Sequence, residues 1–113
     1  MSHLIDESVI QQMIADLGQT TCHTLIGLFI DELTTSLSDL ENAFSTMNQS
    51  RIEEVTHILK NSAALYGAIA VASLATKINN KLCIAKGQLI ESDSKILAII
   101  KQTLELYNNK YGK

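Results

Sequence analysis

Residues 57–68 read His-Ile-Leu-Lys-Asn-Ser-Ala-Ala-Leu-Tyr-Gly-Ala and form the second half of a segment with helical periodicity. At about 100° per residue, the side chains that we expect in the core fall on one stripe: Ile52, Val55, Leu59, Ser62, Ala63 and Tyr66. His57 lies about 200° from Val55, on the opposite side of this helix. The pattern therefore predicts an amphipathic helix that presents one histidine to water or to a partner.

His57 and Lys60 are the candidate functional residues of this helix. Imidazole is a good nucleophile that is largely uncharged near neutral pH. Lys60 follows at i+3 on the same helical face, so its ammonium is expected beside the ring. An exposed nucleophile next to a cation suits a phosphoryl group. The competing interpretation is a pair of solvated surface residues, which is the usual meaning of a lone exposed histidine or lysine.

Two helices are predicted before this segment. Asp6 or Ser8 caps a short first helix, and Gly18 ends it as a left-handed residue. The apolar residues of this helix are Val9, Ile10, Met13, Ile14 and Leu17. Thr20 or Thr21 caps a long second helix that extends to about residue 47. Its apolar stripe comprises Leu25, Ile26, Phe29, Ile30, Leu33, Leu37, Leu40 and Phe44.

Gly27 is the one irregular residue in the interior of the second helix. Glycine costs up to about 1 kcal/mol relative to alanine in a helix. Either the helix tolerates this cost, or a neighbouring helix approaches closely at Gly27.

Three helices are predicted in the second half of the chain, and the first of them carries His57. Its predicted N-terminal cap is Ser50, in capping-box spacing with Glu53, and Asn48 is the alternative cap. Gly67 ends this helix, because glycine readily takes the positive φ that stops a helix.

The remaining two helices follow from the same rules. The fourth opens at Ala68 and closes at Gly87, and its apolar residues are Val71, Leu74, Ala75, Ile78, Leu82 and Ala85. Ser92 or Asp93 caps the fifth helix. The buried stripe of the fifth helix is expected to contain Ile96, Leu97, Ile100, Leu104 and either Tyr107 or Tyr111.

Long amphipathic segments joined by short polar connections predict an all-α fold. The expected architecture is an antiparallel up-down-up-down four-helix bundle with a short N-terminal lid helix, formed by a single domain over residues 1–113. The composition agrees, because it is 46% hydrophobic but only 4% aromatic and contains no proline. Such a fold is compatible with many functions and does not by itself specify one.

Charge and hydropathy narrow the possible partners. The net charge of −3 gives no field that attracts nucleic acid, so none is expected as a partner. The chain has no secretory-type start and no uncharged apolar stretch of about 18 residues, so no membrane partner is expected and the predicted location is the cytoplasm. Cys22 and Cys83 have no metal-type spacing and are expected as small buried hydrophobes in a reducing compartment, with a disulfide as the less favoured alternative.

Metal and nucleotide chemistry are not indicated either. His3, His23 and His57 fall on three different segments, and no HExxH pair occurs, so no metal site is expected. The chain has no glycine-rich phosphate loop and no GxSxG turn. We therefore expect no cofactor and no kinase activity of the chain's own.

The segment His-x-Leu-Lys-x-Ser-Ala-x-x-Tyr-Gly-Ala resembles the motif of histidine-containing phosphotransfer (HPt) domains, His-x-Leu-Lys-Gly-Ser-Ser/Ala-x-x-Phe/Leu-Gly-Ala. Chain length and helix plan are similar over nearly the full chain. Within the family, the resemblance is greatest to small stand-alone proteins of quorum-sensing phosphorelays, which also carry a polar residue after the lysine. The chain departs from the common pattern at Asn61, where most members have glycine, and at Asn79, where many have glutamate.

The resemblance implies that His57 accepts and donates a phosphoryl group through its outer ring nitrogen. It implies that Lys60 pairs with the phosphoryl oxygens. Asn61, at i+4 from His57, would either narrow access to the ring or donate a hydrogen bond to the phosphoryl group. For Ser62, which lies between core and surface, the structural alternative is a hydrogen bond back to the helix backbone. Packing and turn roles are implied for the other matched residues, Leu59, Ala63, Tyr66, Gly67 and Ala68.

The implied partners are the receiver domains of a hybrid sensor kinase and of a response regulator, which would also supply Mg²⁺. Ala64 is small and lies about 20° from His57, so it would let a receiver approach closely. Leu28, together with Leu25, could extend an apolar docking patch. A monomer is expected, because helix packing accounts for the apolar stripes. The alternative function is a non-catalytic helical adaptor that docks a partner without phosphotransfer.

Overall fold

A computed structural model describes residues 4–111. His3, one of the three histidines considered as metal ligands, lies outside this range. The described part of the chain is all-α, as predicted, and contains no β-strand. A one-turn 3-10 helix at Glu91–Ser94 precedes the last α-helix. The five α-helices are α1 (Glu7–Leu17), α2 (Gln19–Ser45), α3 (Gln49–Leu65), α4 (Ile69–Cys83) and α5 (Lys95–Tyr111).

The helices pack around one aliphatic core. α3 packs most extensively against α4, α2 packs against both α5 and α3, α5 also contacts α4, and α1 lies on α2. The predicted stripes are confirmed where they meet this core, which includes Ile26, Phe29, Leu33, Leu40, Ile52, Val55, Leu59, Ala63, Val71, Ala75, Ile78, Ile96, Ile100 and Tyr107. Each large aliphatic side chain buried in this way contributes about 1.5–3 kcal/mol relative to its exposed state.

The first turn of α1 is capped by Asp6, one of the two predicted candidates. Asp6 Oδ1 accepts hydrogen bonds from the Ser8 backbone N–H at 3.0 Å and from the Ser8 hydroxyl at 2.6 Å. These hydrogen bonds, first that of the hydroxyl, hold the pKa of the Asp6 carboxyl below its ordinary value. Leu17, expected in the core, is 48% exposed, and only Ile10 of α1 is fully buried.

The predicted start of α2 is wrong. α2 begins directly after Gly18, so Thr20 and Thr21 lie inside its first turn and no side chain caps it. Gly18 ends α1 with a positive φ as predicted, 88°, but its ψ of 157° lies outside the left-handed helical region. Its N–H donates to Ile14 O at 2.8 Å and its carbonyl accepts from Cys22 N at 3.1 Å, so its backbone serves both helices.

The cap of α3 is Asn48, whose side chain accepts from Arg51 N at 3.1 Å. Asn48 is the alternative prediction. The predicted capping box of Ser50 with Glu53 is wrong, because α3 starts at Gln49 and therefore places Ser50 in the first turn. The Glu53 carboxylate instead accepts a hydrogen bond from α4.

The predicted boundaries of the last two helices are also partly wrong. α4 begins after Ala68 as expected, but it ends at Cys83, and Lys86 takes a positive φ of 52° before Gly87. Ala85, expected in the core, is exposed because it lies beyond the helix. Ser92 and Asp93 lie in the 3-10 turn rather than at the start of α5. Asp93 Oδ2 accepts from Ile90 N at 2.7 Å and from Lys81 Nζ at 2.6 Å, so it joins this turn to α4.

Gly67 ends α3 as predicted, with φ 81°. Its carbonyl accepts from Asp6 N at 2.7 Å, so the start of α1 lies against the turn between α3 and α4. A Cβ at Gly67 would lie 2.8 Å from Asp6 O and 3.2 Å from Val9 Cβ. The Tyr107 hydroxyl donates to the neighbouring Tyr66 carbonyl at 2.7 Å, which ties α5 to the same turn.

Gly27 does not mark a close approach of two helices. A Cβ built on it meets nothing within 4 Å, and the residue is exposed. The helix simply tolerates this glycine.

Both cysteines are free thiols. Cys22 is buried as expected, whereas Cys83 is partly exposed at the end of α4. No helix within residues 4–111 has the length and apolar character needed to cross a membrane.

Gly67→Ala is expected to lower the free energy of unfolding by about 1–3 kcal/mol, because the new Cβ clashes and the positive φ becomes strained. Gly27→Ala is the matched control and is expected to raise the free energy of unfolding by up to about 1 kcal/mol. Urea denaturation followed by circular dichroism measures both changes. Equal changes in the two variants would contradict this account of the α3–α4 turn.

Candidate functional site

His57 is exposed on α3, as its helical position predicts. Its side chain borders an open cleft of about 430 Å³ between α3 and the end of α4. The other residues that line this cleft are Ser50, Glu53, Glu54, Ile58 and Cys83. The imidazole is therefore open to a reacting partner, with two carboxylates on the N-terminal side of the ring.

Lys60 is not a freely solvated surface lysine. Its side chain is partly buried, and Nζ donates a hydrogen bond to Asn79 Oδ1 on α4 at 3.2 Å. An ammonium has three donors, so two remain available in this arrangement. The ammonium of Lys60 is thus bound to α4. Along α3 it lies on the C-terminal side of His57, whereas the two carboxylates lie on the N-terminal side.

Asn79 is buried beneath this surface, with only 2% of its area exposed. Its Nδ2 donates to Glu53 O at 2.9 Å and to Thr56 Oγ1 at 3.4 Å. With Oδ1 bound to Lys60, both ends of the amide have partners, as a buried amide requires. Sequence reasoning noted Asn79 only as a departure from the family pattern and assigned it no role.

Asn61 directs its amide toward the helix backbone. Nδ2 donates to the His57 carbonyl oxygen at 3.3 Å, while the residue itself is exposed. In this conformation the amide is hydrogen-bonded to the helix backbone one turn back. Its predicted hydrogen bond to a phosphoryl group stays a prediction.

Ser62 does not form the predicted hydrogen bond to the helix backbone. Its Oγ is buried and has no hydrogen-bond partner within residues 4–111. A buried hydroxyl without a partner costs about 1–3 kcal/mol. Nothing in the structure explains this unpaired group.

Cys83 belongs to the cleft beside His57 and not to the core. Its thiol donates to Glu53 Oε1 at 2.9 Å. This hydrogen bond, followed by burial, raises the pKa of the Cys83 thiol, so the protonated form dominates near neutral pH. Spacing contained a signal for this placement, because Asn79 and Cys83 are four residues apart on α4 and therefore share one face.

The two residues expected to dock a partner lie on different parts of the surface. Ala64 is exposed on α3. Leu28 is 60% exposed, but it lines a groove between α2 and α5 together with Asn108 and Tyr111. The structure therefore does not place Leu28 and Ala64 in the same groove.

An apolar groove near Ala64 was missed by sequence reasoning. It has a volume of about 650 Å³ and lies between α1, α2 and the end of α3. Its apolar lining is Val9, Met13, Leu17, Leu25, Leu65 and Tyr66. Leu65 follows Ala64 directly and is 64% exposed, so the groove adjoins the exposed face of α3.

Comparison with known families assigns most of the chain to one family. Residues 24–110 match the model of the Hpt domain family, which is well over half of the chain. The chain therefore belongs to the Hpt domain family.

The curated relatives point to one kind of protein within that class. The phosphorelay protein LuxU of Vibrio cholerae is 24% identical over 112 residues, which cover 96% of this chain and 97% of the relative. LuxU of Vibrio harveyi is 24% identical over 94% of each chain, and LuxU of Vibrio vulnificus is 25% identical over 92% of this chain and 91% of the relative. This chain is thus similar to LuxU proteins over nearly its full length. No solved structure gave a significant match.

Proposed function

We propose that this chain is a phosphorelay intermediate that carries a phosphoryl group on His57. The outer ring nitrogen of His57 attacks the phosphorus of an aspartyl phosphate, a P–N bond forms, the P–O bond to the aspartate breaks, and the carboxylate leaves. The reverse process on a second aspartate unloads the chain. The observation that supports this most directly is an exposed imidazole in an Hpt-family chain, with a tethered ammonium one turn further along α3.

Lys60 would supply charge and not bond-making chemistry. Transfer of a phosphoryl group depends mainly on positioning and on neutralising the charge of its oxygens. The two ammonium donors of Lys60 that Asn79 leaves available would bind those oxygens. Asn61 would add a hydrogen bond only after its amide leaves the His57 carbonyl.

The helix contacts support the antiparallel up-down-up-down four-helix bundle as the scaffold of this site. The contacts run in a closed cycle from α2 to α3, α4, α5 and back to α2. The connections from α2 to α3 and from α3 to α4 are short, which favours antiparallel neighbours. Such a scaffold holds His57 rigidly while the partner moves. It contributes position, and the partner's receiver domain would contribute Mg²⁺.

The partners would be the receiver domains of a hybrid sensor kinase and of a response regulator. Ala64 offers a small side chain two turns from His57, and the groove beside Leu65 extends an apolar surface from that point. Leu28 lies on the α5 side of α2. A receiver bound over Ala64 and Leu65 would therefore contact Leu28 only at the edge of the interface. The resemblance to stand-alone quorum-sensing proteins and the similarity to LuxU favour a quorum-sensing phosphorelay as the pathway.

His57→Gln is expected to abolish phosphoryl transfer, because the amide has no nucleophilic ring nitrogen. The chain is incubated with a radiolabelled phosphorylated receiver domain, and acid-labile, alkali-stable label on the chain is counted. His23→Gln is the matched control, since His23 is an exposed histidine on α2 and should leave labelling unchanged. Signalling and binding that persist in His57→Gln would instead identify the chain as a non-catalytic adaptor.

Lys60→Ala is expected to slow transfer at least about tenfold without unfolding the chain, because the charge-assisted hydrogen bonds of its ammonium to the phosphoryl group are lost. Single-turnover transfer from a phosphorylated receiver measures the rate, and thermal denaturation checks the fold. Lys77→Ala, at an exposed lysine of α4, is the control and should transfer at the wild-type rate. Equal rates for all three proteins would remove Lys60 from the mechanism.

Ala64→Arg is expected to weaken receiver binding by at least about tenfold, because a long charged side chain would separate the two surfaces. Ala98→Arg is the control, because it adds the same side chain at an exposed site of α5. α5 packs against α2 and α4, so this variant should bind the receiver normally. Isothermal titration calorimetry with the receiver measures both affinities. Normal binding by Ala64→Arg would place the docking surface elsewhere.

A further inference from the structure

We propose that Asn79 is a positioning residue of the phosphoryl site, which holds the Lys60 ammonium in place for the group on His57. This inference rests on the proposed function. Asn79 itself would touch neither the imidazole nor the phosphoryl group, and it would act only through Lys60.

The first argument is geometric. A lysine side chain has several rotatable bonds, and ordering it costs up to about 2 kcal/mol of conformational entropy. Here Nζ is bound at 3.2 Å to an amide oxygen on a different helix. Much of that ordering is therefore complete before any phosphoryl group arrives. Preorganised charge of this kind stabilises a transition state more than charge that must first be ordered.

The second argument is the rigidity of the amide. Asn79 is 2% exposed, and its Nδ2 is bound to Glu53 O at 2.9 Å and to Thr56 Oγ1 at 3.4 Å. Both acceptors belong to α3, the helix that carries His57. Because Nδ2 faces these acceptors, Oδ1 must face the one donor, Lys60. The amide thus holds the Lys60 ammonium at a fixed position relative to the backbone of α3, the helix that carries His57.

The third argument is charge. An amide oxygen accepts a hydrogen bond without neutralising the lysine, so the full positive charge remains for the phosphoryl oxygens. Asparagine therefore combines an acceptor for the tether with a neutral environment for the anion.

Asn79→Leu tests the proposal, because leucine has a similar size but no acceptor. The probe is phosphoramidate, a small donor that transfers its phosphoryl group to His57 and releases ammonia without needing a receiver. Asn79→Leu is expected to slow this reaction about three- to tenfold, and Lys60→Met to slow it at least as much. In the Lys60→Met background, Asn79→Leu should add less than about a twofold effect, because a residue that acts through Lys60 has nothing left to position.

Thr103→Val is the matched control for stability. It removes the hydrogen bond that a buried threonine hydroxyl on α5 donates to Ile99 O at 2.7 Å, and it leaves every hydrogen bond of Asn79 in place. Thr103→Val is expected to lower the melting temperature while retaining the wild-type rate. Equal slowing by Thr103→Val and Asn79→Leu, or equal slowing by Asn79→Leu with and without Lys60, would overturn the proposal.

A measurement on the wild-type protein keeps the test independent of folding and of phosphotransfer. NMR relaxation of the side-chain Cε should show Lys60 to be more ordered than the exposed Lys77, and Asn79→Leu should remove the difference. A Lys60 as mobile as Lys77 in the wild type would overturn the positioning role even if His57 is phosphorylated. An ordered Lys60 together with an unreactive His57 would instead leave the tether intact and reject the proposed function.

Discussion

The close pairing of α4 with α3 depends on the backbone of Gly67. Its positive φ ends α3 and lets the chain continue directly into α4, so that the two helices form the most extensive contact in the molecule. The same turn receives the Asp6 N–H on the Gly67 carbonyl and the Tyr107 hydroxyl on the Tyr66 carbonyl. The first and last helices are therefore both attached at the place where α3 reverses into α4. A side chain at this glycine would disturb all of these contacts together.

This pairing also creates the surface on which the proposed function depends. α3 alone carries His57 and Lys60, but the ammonium is bound to an acceptor on α4, and Cys83 at the end of α4 lines the open cleft beside the imidazole. The charges are distributed unequally around the histidine, with glutamates toward the start of α3 and the lysine toward its end. An approaching phosphoryl group would be repelled from one side and attracted to the other, which selects one direction of approach.

Periodicity predicted the helices well and their ends less well. The stripes of α2 and α3 are buried because apolar burial is a sum over many residues and tolerates local errors. Helix ends depend on single hydrogen bonds, and several candidates competed at each end. Gly18, and not Thr20 or Thr21, is the N-terminal cap of α2. Lys86, and not Gly87, takes the positive φ after α4. Neither choice is visible in residue spacing.

The sequence by itself determined the all-α class, the exposure of His57, the stop at Gly67 and the membership in the Hpt family that the motif indicated. The first three properties follow from local conformational preferences and from periodicity within one helix, whereas the family membership follows from resemblance to the motif. Only the tertiary structure decided that Asn79 binds Lys60, that Cys83 lies beside His57 and that an apolar groove adjoins Ala64. Each of these is a contact between helices, and its geometry depends on the rotation and register of one helix against another, which no single helix encodes.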